Sequence, residues 1–136
     1  MKIIAESAFN HNGDLQYLIK LANASKKSQA DFFTVQIYKT DAFCSTDYSK
    51  YDICKEAELT TDEWFQLFDH CENNEITLIP CVLDNPSLEL VIERDFKLIK
   101  IHATDLLNIP FLKKIATLYI KVLLETQCAT KRDIDI

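Results

Sequence analysis

FKLIKIHATDLLNIPFLKKIATLYIKVLLET, residues 96–126, holds the pattern that decides the fold. FKLIKIHA (96–103) and YIKVLLET (119–126) are short apolar runs of strand length, and NIPFLKKIATL (108–118) between them reads as a helix. The same order recurs upstream. KIIAESAF (2–8), ADFFTVQIY (30–38) and EITLIPCVL (75–83) read as three earlier strands. The segments 14–27, 60–74 and 85–95 between them read as helices, and TKRDIDI at 130–136 begins another. Asp14 is placed to cap the first helix, Thr61 opens the second with acids in its first turn, and Pro86 suits the first turn of the third. The polar stretch 39–59 is the longest expected loop. Strands apolar on both faces that alternate with helices make parallel βαβ units. Two architectures fit, an open doubly wound sheet and a (β/α) barrel. The single glycine, Gly13, rules out a GxGxxG turn and a P-loop.

The chain has 136 residues, one domain's worth, with 48% apolar and 26% charged residues, as in a folded globular protein. A net charge of -6 with scattered Lys and Arg argues against a nucleic-acid surface, and Lys26-Lys27 and Lys113-Lys114 fit solvated helix faces. No apolar run reaches the roughly 20 residues that span a bilayer, and MKIIAESAF meets Glu6 too early for a signal peptide. The five cysteines (44, 54, 71, 81, 128) are odd in number, widely spaced and without a CxxC, so free thiols in a reducing cytoplasm are expected.

Sites in parallel α/β folds lie at the carboxyl ends of strands. Those ends carry Glu6 with the Asn10-His11-Asn12-Gly13 turn, Gln36 and Lys39, Cys81 and Asp84, Lys100 and His102, Thr104-Asp105, and Glu125-Thr126. Alternation puts Lys100 and His102 on one face, where burial demands partners. Plainer roles exist for each. Glu6 and Lys100 can pair across the sheet, the Asn-Gly segment can be an ordinary turn, and His11 can be a surface residue. His102 can be a wall residue, and His70 on its helix is structural.

These blocks resemble the N-acetylneuraminate (sialic acid) synthase family. AESAFNHNGDL is similar to its opening AEIGxNHNGDL, ADFFTVQIYKTDAF to ADxVKFQTFKAEDL, and KEAELTTDEWFQLFDHCENNEI to its stretch before the third strand. KIHATDLLNIPFLKKIA resembles KIASGDLNNxPLLKxIA, and IKVLLETQCATKRDI resembles KPVILSTGMATLEEI, so the likeness runs from residue 2 to the end. The resemblance implies the first five strands of a TIM-type barrel in a single domain, 1–136. It implies a phosphoenolpyruvate-dependent transferase that joins that substrate to an N-acetylmannosamine-type sugar with Mn²⁺ or Mg²⁺. It assigns Glu6 and Asp105 as catalytic acids, Asp105 being one methylene shorter than Glu. It matches Gln36, Lys39 and Lys100 to substrate positions, with Lys100 holding the phosphoenolpyruvate, while Asn10, Asn12 and His102 are substrate-binding candidates from their place at the strand ends. No metal ligand falls in this chain, because the family's metal-binding His residues lie in the second half of the barrel.

The departures cluster at the anion site. The family's strand-two Lys is Thr34, its STPFD is PCVLD at 80–84, its SG is Ala103-Thr104, and its STG is Glu125-Thr126-Gln127. A carboxylate at 125 opposes a bound phosphate. Five strands do not close a barrel of about eight. Continuation into a C-terminal half, self-association, or rearrangement to an open sheet is therefore expected. Function reads two ways, as a synthase-like protein of acid-sugar biosynthesis inactive in this form, or as a degenerate binding or assembly module. Enzymatic activity is left open; neither nucleic acid nor membrane is an expected partner.

Overall fold

Capping side chains fix where each long helix starts. Asp14 accepts the N–H of Tyr17 and opens α1, Leu15–Lys27. Thr60, rather than Thr61, caps α4, Thr61–Asn73: its hydroxyl accepts the Glu63 N–H while the Glu63 carboxylate accepts the Thr60 N–H at 2.8 Å. This reciprocal pair needs an acid at the third helical position, which selects Thr60 over its neighbour. Asp84 caps α5, Asn85–Glu93, with Pro86 in its first turn, and Asn108 caps α6, Ile109–Ala116. The structure, a computed structural model, describes residues 1–127 and 129–134. Cys128 and the last two residues of the expected final helix lie outside them; its first part is α7, Lys131–Ile134. The expected loop 39–59 contains two short helices, α2 (Thr40–Phe43) and α3 (Tyr51–Glu56), too short to show helical periodicity in a polar sequence.

The strands are β1 (Ile4–Glu6), β2 (Phe32–Ile37), β3 (Leu78–Val82), β4 (Leu98–Ile101) and β5 (Lys121–Leu124). They form one parallel sheet in the order β1-β2-β3-β4-β5. A doubly wound sheet reverses its strand order at a switch point. This sheet never reverses, so it is the wall of a barrel and not an open nucleotide-binding sheet. Successive right-handed crossovers then place the crossover helices α1, α4, α5 and α6 on one side. Phe33, Val35 and Ile37 of β2, Leu78 and Val82 of β3, and Ile99 and Ile101 of β4 pack there against Leu18, Trp64, Leu67, Leu88, Val91, Phe111 and Ile115.

Side chains of opposite parity face the concave side: Glu6, Thr34, Gln36, Cys81, Lys100 and Leu123, linked by the register Glu6↔Thr34, Gln36↔Cys81, Cys81↔Lys100 and Lys100↔Leu123. Every residue of β5 is exposed, on both faces. Pro80 sits in central β3, where proline is rare because it offers no N–H to a ladder. The registered pairing with β4 begins at the next residue, Cys81.

Candidate functional site

The concave side gathers charge around one buried ammonium. Lys100 Nζ lies 2.8 Å from Glu6 Oε2 and 2.6 Å from Glu125 Oε1, with its side chain 6% exposed. In a flat sheet β1 and β4 would stand about 14 Å apart across three strand spacings. One ammonium reaches the ends of β1, β4 and β5 together, so the sheet is curled around it. Burial alone would lower the Lys100 pKa. The bonds to Glu125 and Glu6 outweigh that and hold the ammonium above its usual range. The cross-sheet Glu6–Lys100 pair read from the sequence is present, and Glu125 adds a second carboxylate.

His102 joins the same cluster. Its Nδ1 accepts the Thr104 N–H at 3.3 Å. That leaves the proton of the neutral ring on Nε2, which lies 3.6 Å from Glu125 Oε2. Glu125 Oε2 is buried and has no hydrogen-bond partner. Cys81 adjoins Lys100 in the register, and burial pushes its thiol up to about 12. The Lys100 charge pulls the other way, while Glu125, Glu6 and Asp105 add to the rise. The thiol is therefore protonated near neutrality and is a poor nucleophile. Asp105 lies at the end of the 3₁₀ turn Ala103–Asp105 and accepts an amide N–H from Asn108 at 2.8 Å.

Other expected site residues are placed differently. The Thr34 hydroxyl turns inside the sheet and donates to the Ile79 carbonyl at 2.7 Å. Gln36 is buried on the concave side next to Cys81. Lys39 is drawn away: its ammonium lies 3.2 Å from Glu58 Oε1, and its N–H donates to Asp84 Oδ2 at 2.6 Å. Burial opposes the charge on Glu58, but hydrogen bonds from Thr40 and Lys39 outweigh it and hold the carboxyl below its usual range. Asp84 also accepts the Ser87 N–H, so it ties β2 to the start of α5. Asn10 and Asn12 are exposed on the β1–α1 loop.

The loop is built around structure. Gly13 has φ +77°, and a Cβ there would sit 2.5 Å from the Glu56 carbonyl oxygen. His11 is not the surface residue its loop position suggests. It is 1% exposed, packs edge-on against Trp64 with ring centroids 5.9 Å apart, and accepts the Gly13 N–H at Nδ1. Burial lowers its pKa, against a smaller opposing pull from Glu63.

The sequence reading misses two participants, Glu58 and the role of Glu125. Glu58 lies in a polar stretch with no motif. Glu125 stands out only as a charge beside an expected anion site. No three His, Cys, Asp or Glu side chains among the described residues converge as metal donors. None of the described helices is long and apolar enough to cross a membrane, and Cys44, Cys54, Cys71 and Cys81 are free thiols.

Comparison with known proteins gives consistent likenesses. The profile of the NeuB family matches residues 18–136. An N,N'-diacetyllegionaminic acid synthase of Campylobacter jejuni is 32% identical over 98% of this chain and 44% of its own length. An N-acetylneuraminate-9-phosphate synthase of Drosophila melanogaster is 28% identical over 98% of this chain and 39% of its own. The fold matches that of an N-acetylneuraminic acid synthetase from Leptospira borgpetersenii, solved with citrate, at a TM-score of 0.91 and 23% identity, over 99% of this chain and 48% of the other. The chain thus spans less than half the length of these relatives.

Proposed function

We propose, since this chain belongs to the NeuB family, that it is a sialic-acid-synthase-like protein of acid-sugar biosynthesis. In this reading the chain does not by itself condense phosphoenolpyruvate with an N-acetylmannosamine-type sugar. One observation carries it: the only Lys or Arg among the described residues that is nine-tenths buried, Lys100, faces the barrel lumen through two carboxylates. A phosphate or carboxylate arriving there meets Glu6 and Glu125 before the ammonium, and repulsion of like charges at about 4 Å is on the order of several kcal/mol near a protein surface.

The residues have separable roles in this scheme. Glu6 at the end of β1 accepts from Lys100 and fixes its direction. His102 turns Nε2 toward the same space, 3.6 Å from Glu125 Oε2. Asp105 adds a further negative charge. The divalent ion of the parent reaction finds no donor set among the described side chains, so no residue is assigned to hold it. A reducing, cytoplasmic setting fits the free thiols. Incubation with phosphoenolpyruvate, N-acetylmannosamine and Mn²⁺, read out as released phosphate, tests the proposal. No release above the protein-free blank is expected; steady turnover would overturn it.

A second reading, a binding or assembly module, draws on Thr34, whose hydroxyl is spent on the Ile79 carbonyl instead of facing the lumen. Calorimetric titration with phosphoenolpyruvate tests the loss of the anion site on which both readings draw. Micromolar binding would sink the degenerate-module reading.

A further inference from the structure

We infer that Glu125 is an internal substitute for a bound anion, and that its side chain sets which charge the concave site accepts. This deepens the reading above and rests on it. Three observations converge. First, Lys100 needs one carboxylate to offset burial and already has one, Glu6 at 2.8 Å. Second, Glu125 adds another at 2.6 Å, which leaves the trio with an excess negative charge. Third, the far oxygen of Glu125 is buried without a hydrogen-bond partner and lies 3.6 Å from His102 Nε2. An unsatisfied buried acceptor is unfavourable. A group held this way, between an ammonium and an imidazole N–H, sits where an external oxyanion would sit if the donors were free.

The two donors do not depend on Glu125 for their placement. Lys100 is anchored by Glu6 and by β4. His102 is oriented by the Thr104 N–H on the opposite edge of its ring. The Glu125 backbone is held by its own N–H bond to the Ile101 carbonyl at 3.0 Å. Truncating the side chain therefore vacates the anion position while both donors stay in place. The space then fits a small carboxylate or a tetrahedral oxyanion, whereas the native site excludes both.

Chemical rescue tests this. Wild type, E125A, E125Q and the double variant K100M/E125A are melted in rising sodium acetate against sodium chloride at equal ionic strength, then in inorganic phosphate. A ligand that binds only the folded state raises Tm in proportion to the logarithm of its concentration. E125A is expected to bind acetate at least about tenfold more tightly than wild type, the equivalent of about 1.4 kcal/mol. The double variant is expected to lose the gain. E125Q, with the shape kept and the charge removed, is expected to lie between wild type and E125A, and it decides the matter should E125A fail to fold. Equal acetate responses in wild type and in whichever single variant folds would overturn the inference, as would a gain that survives in K100M/E125A. Neither probe is a substrate of the condensation, so these failures leave the acid-sugar reading standing, and turnover by wild type would leave the rescue result interpretable.

Discussion

Replacing Gly13 with Ala tests whether the loop's glycine is there for the backbone. Gly13 has φ +77°, and an added Cβ would lie 2.5 Å from the Glu56 carbonyl oxygen and 3.3 Å from the Ala57 Cα. Left-handed backbone costs an L-residue about 1–2 kcal/mol. The overlap is with main chain, which does not swing aside as a side-chain tip does, and such overpacking costs about 1–3 kcal/mol. The stiffer unfolded chain of the Ala variant returns about 0.4–1 kcal/mol. The net expected loss is about 3 kcal/mol, on the order of a 10 °C drop in Tm for a domain of this size. Urea unfolding followed by the fluorescence of Trp64, the single tryptophan, measures it directly, with an unchanged slope and a lower midpoint. A8G is the internal control. Ala8 in the same loop has φ +46°, so glycine there relieves backbone strain, and the variant should be neutral or up to about 1 kcal/mol more stable. A G13A loss below about 1 kcal/mol, or equal losses in the two variants, would refute the close-approach reasoning.

K100M leaves Glu6 and Glu125 facing each other without a cation, and should destabilise the fold by about 3 kcal/mol, moderated because Glu6 is partly in water; urea unfolding at pH 7.5 checks it. Because the folded-state pKa of Lys100 lies above its ordinary 10.5, the contribution of its ion pairs is complete below that pH and fades as pH rises through the folded value, so the gap between wild type and K100M should narrow in strong alkali. His11 shifts the other way. Its neutral form is favoured by the fold, so stability is lost as pH falls through 6.5 toward the lowered folded value; H11N should flatten the slope of unfolding free energy between pH 7.5 and 5.5, and an unchanged slope would count against a buried neutral imidazole. D84A removes both the cap on α5 and the acceptor of the Lys39 N–H, and should cost about 2 kcal/mol in the same denaturation assay.

The βαβ alternation was legible because strands buried on both sides carry unbroken apolar runs, and because Asp14 and Pro86 mark helix starts by local chemistry alone. The choice between barrel and open sheet was not local. It rests on strand order, which no single segment encodes, and reached the sequence only through the likeness of whole blocks. The polar residues at strand ends were visible one by one, and the Glu6–Lys100 pair followed from their facing the same way. What stayed hidden depends on partners far along the chain. Gly13 answers to Glu56, His11 to Trp64, and Lys39 to Glu58 across the polar stretch that conceals α2 and α3. Thr60 was readable, since its glutamate stands three positions on, but the adjacent Thr61 masks it.

The ordered sheet in which each strand lies beside its predecessor has a consequence for how the chain reaches its final state. Every strand that leaves the ribosome finds its neighbour already made, so the wall can grow by accretion from the amino end. The Glu6–Lys100 contact joins residues 94 positions apart, and it forms only once the fourth strand has docked. It is thus a latch that records completion. Substitutions at either end should accelerate unfolding and leave the refolding rate nearly unchanged. Stopped-flow rates for E6Q and K100M that slow refolding in proportion to lost stability would instead place the latch in the nucleus.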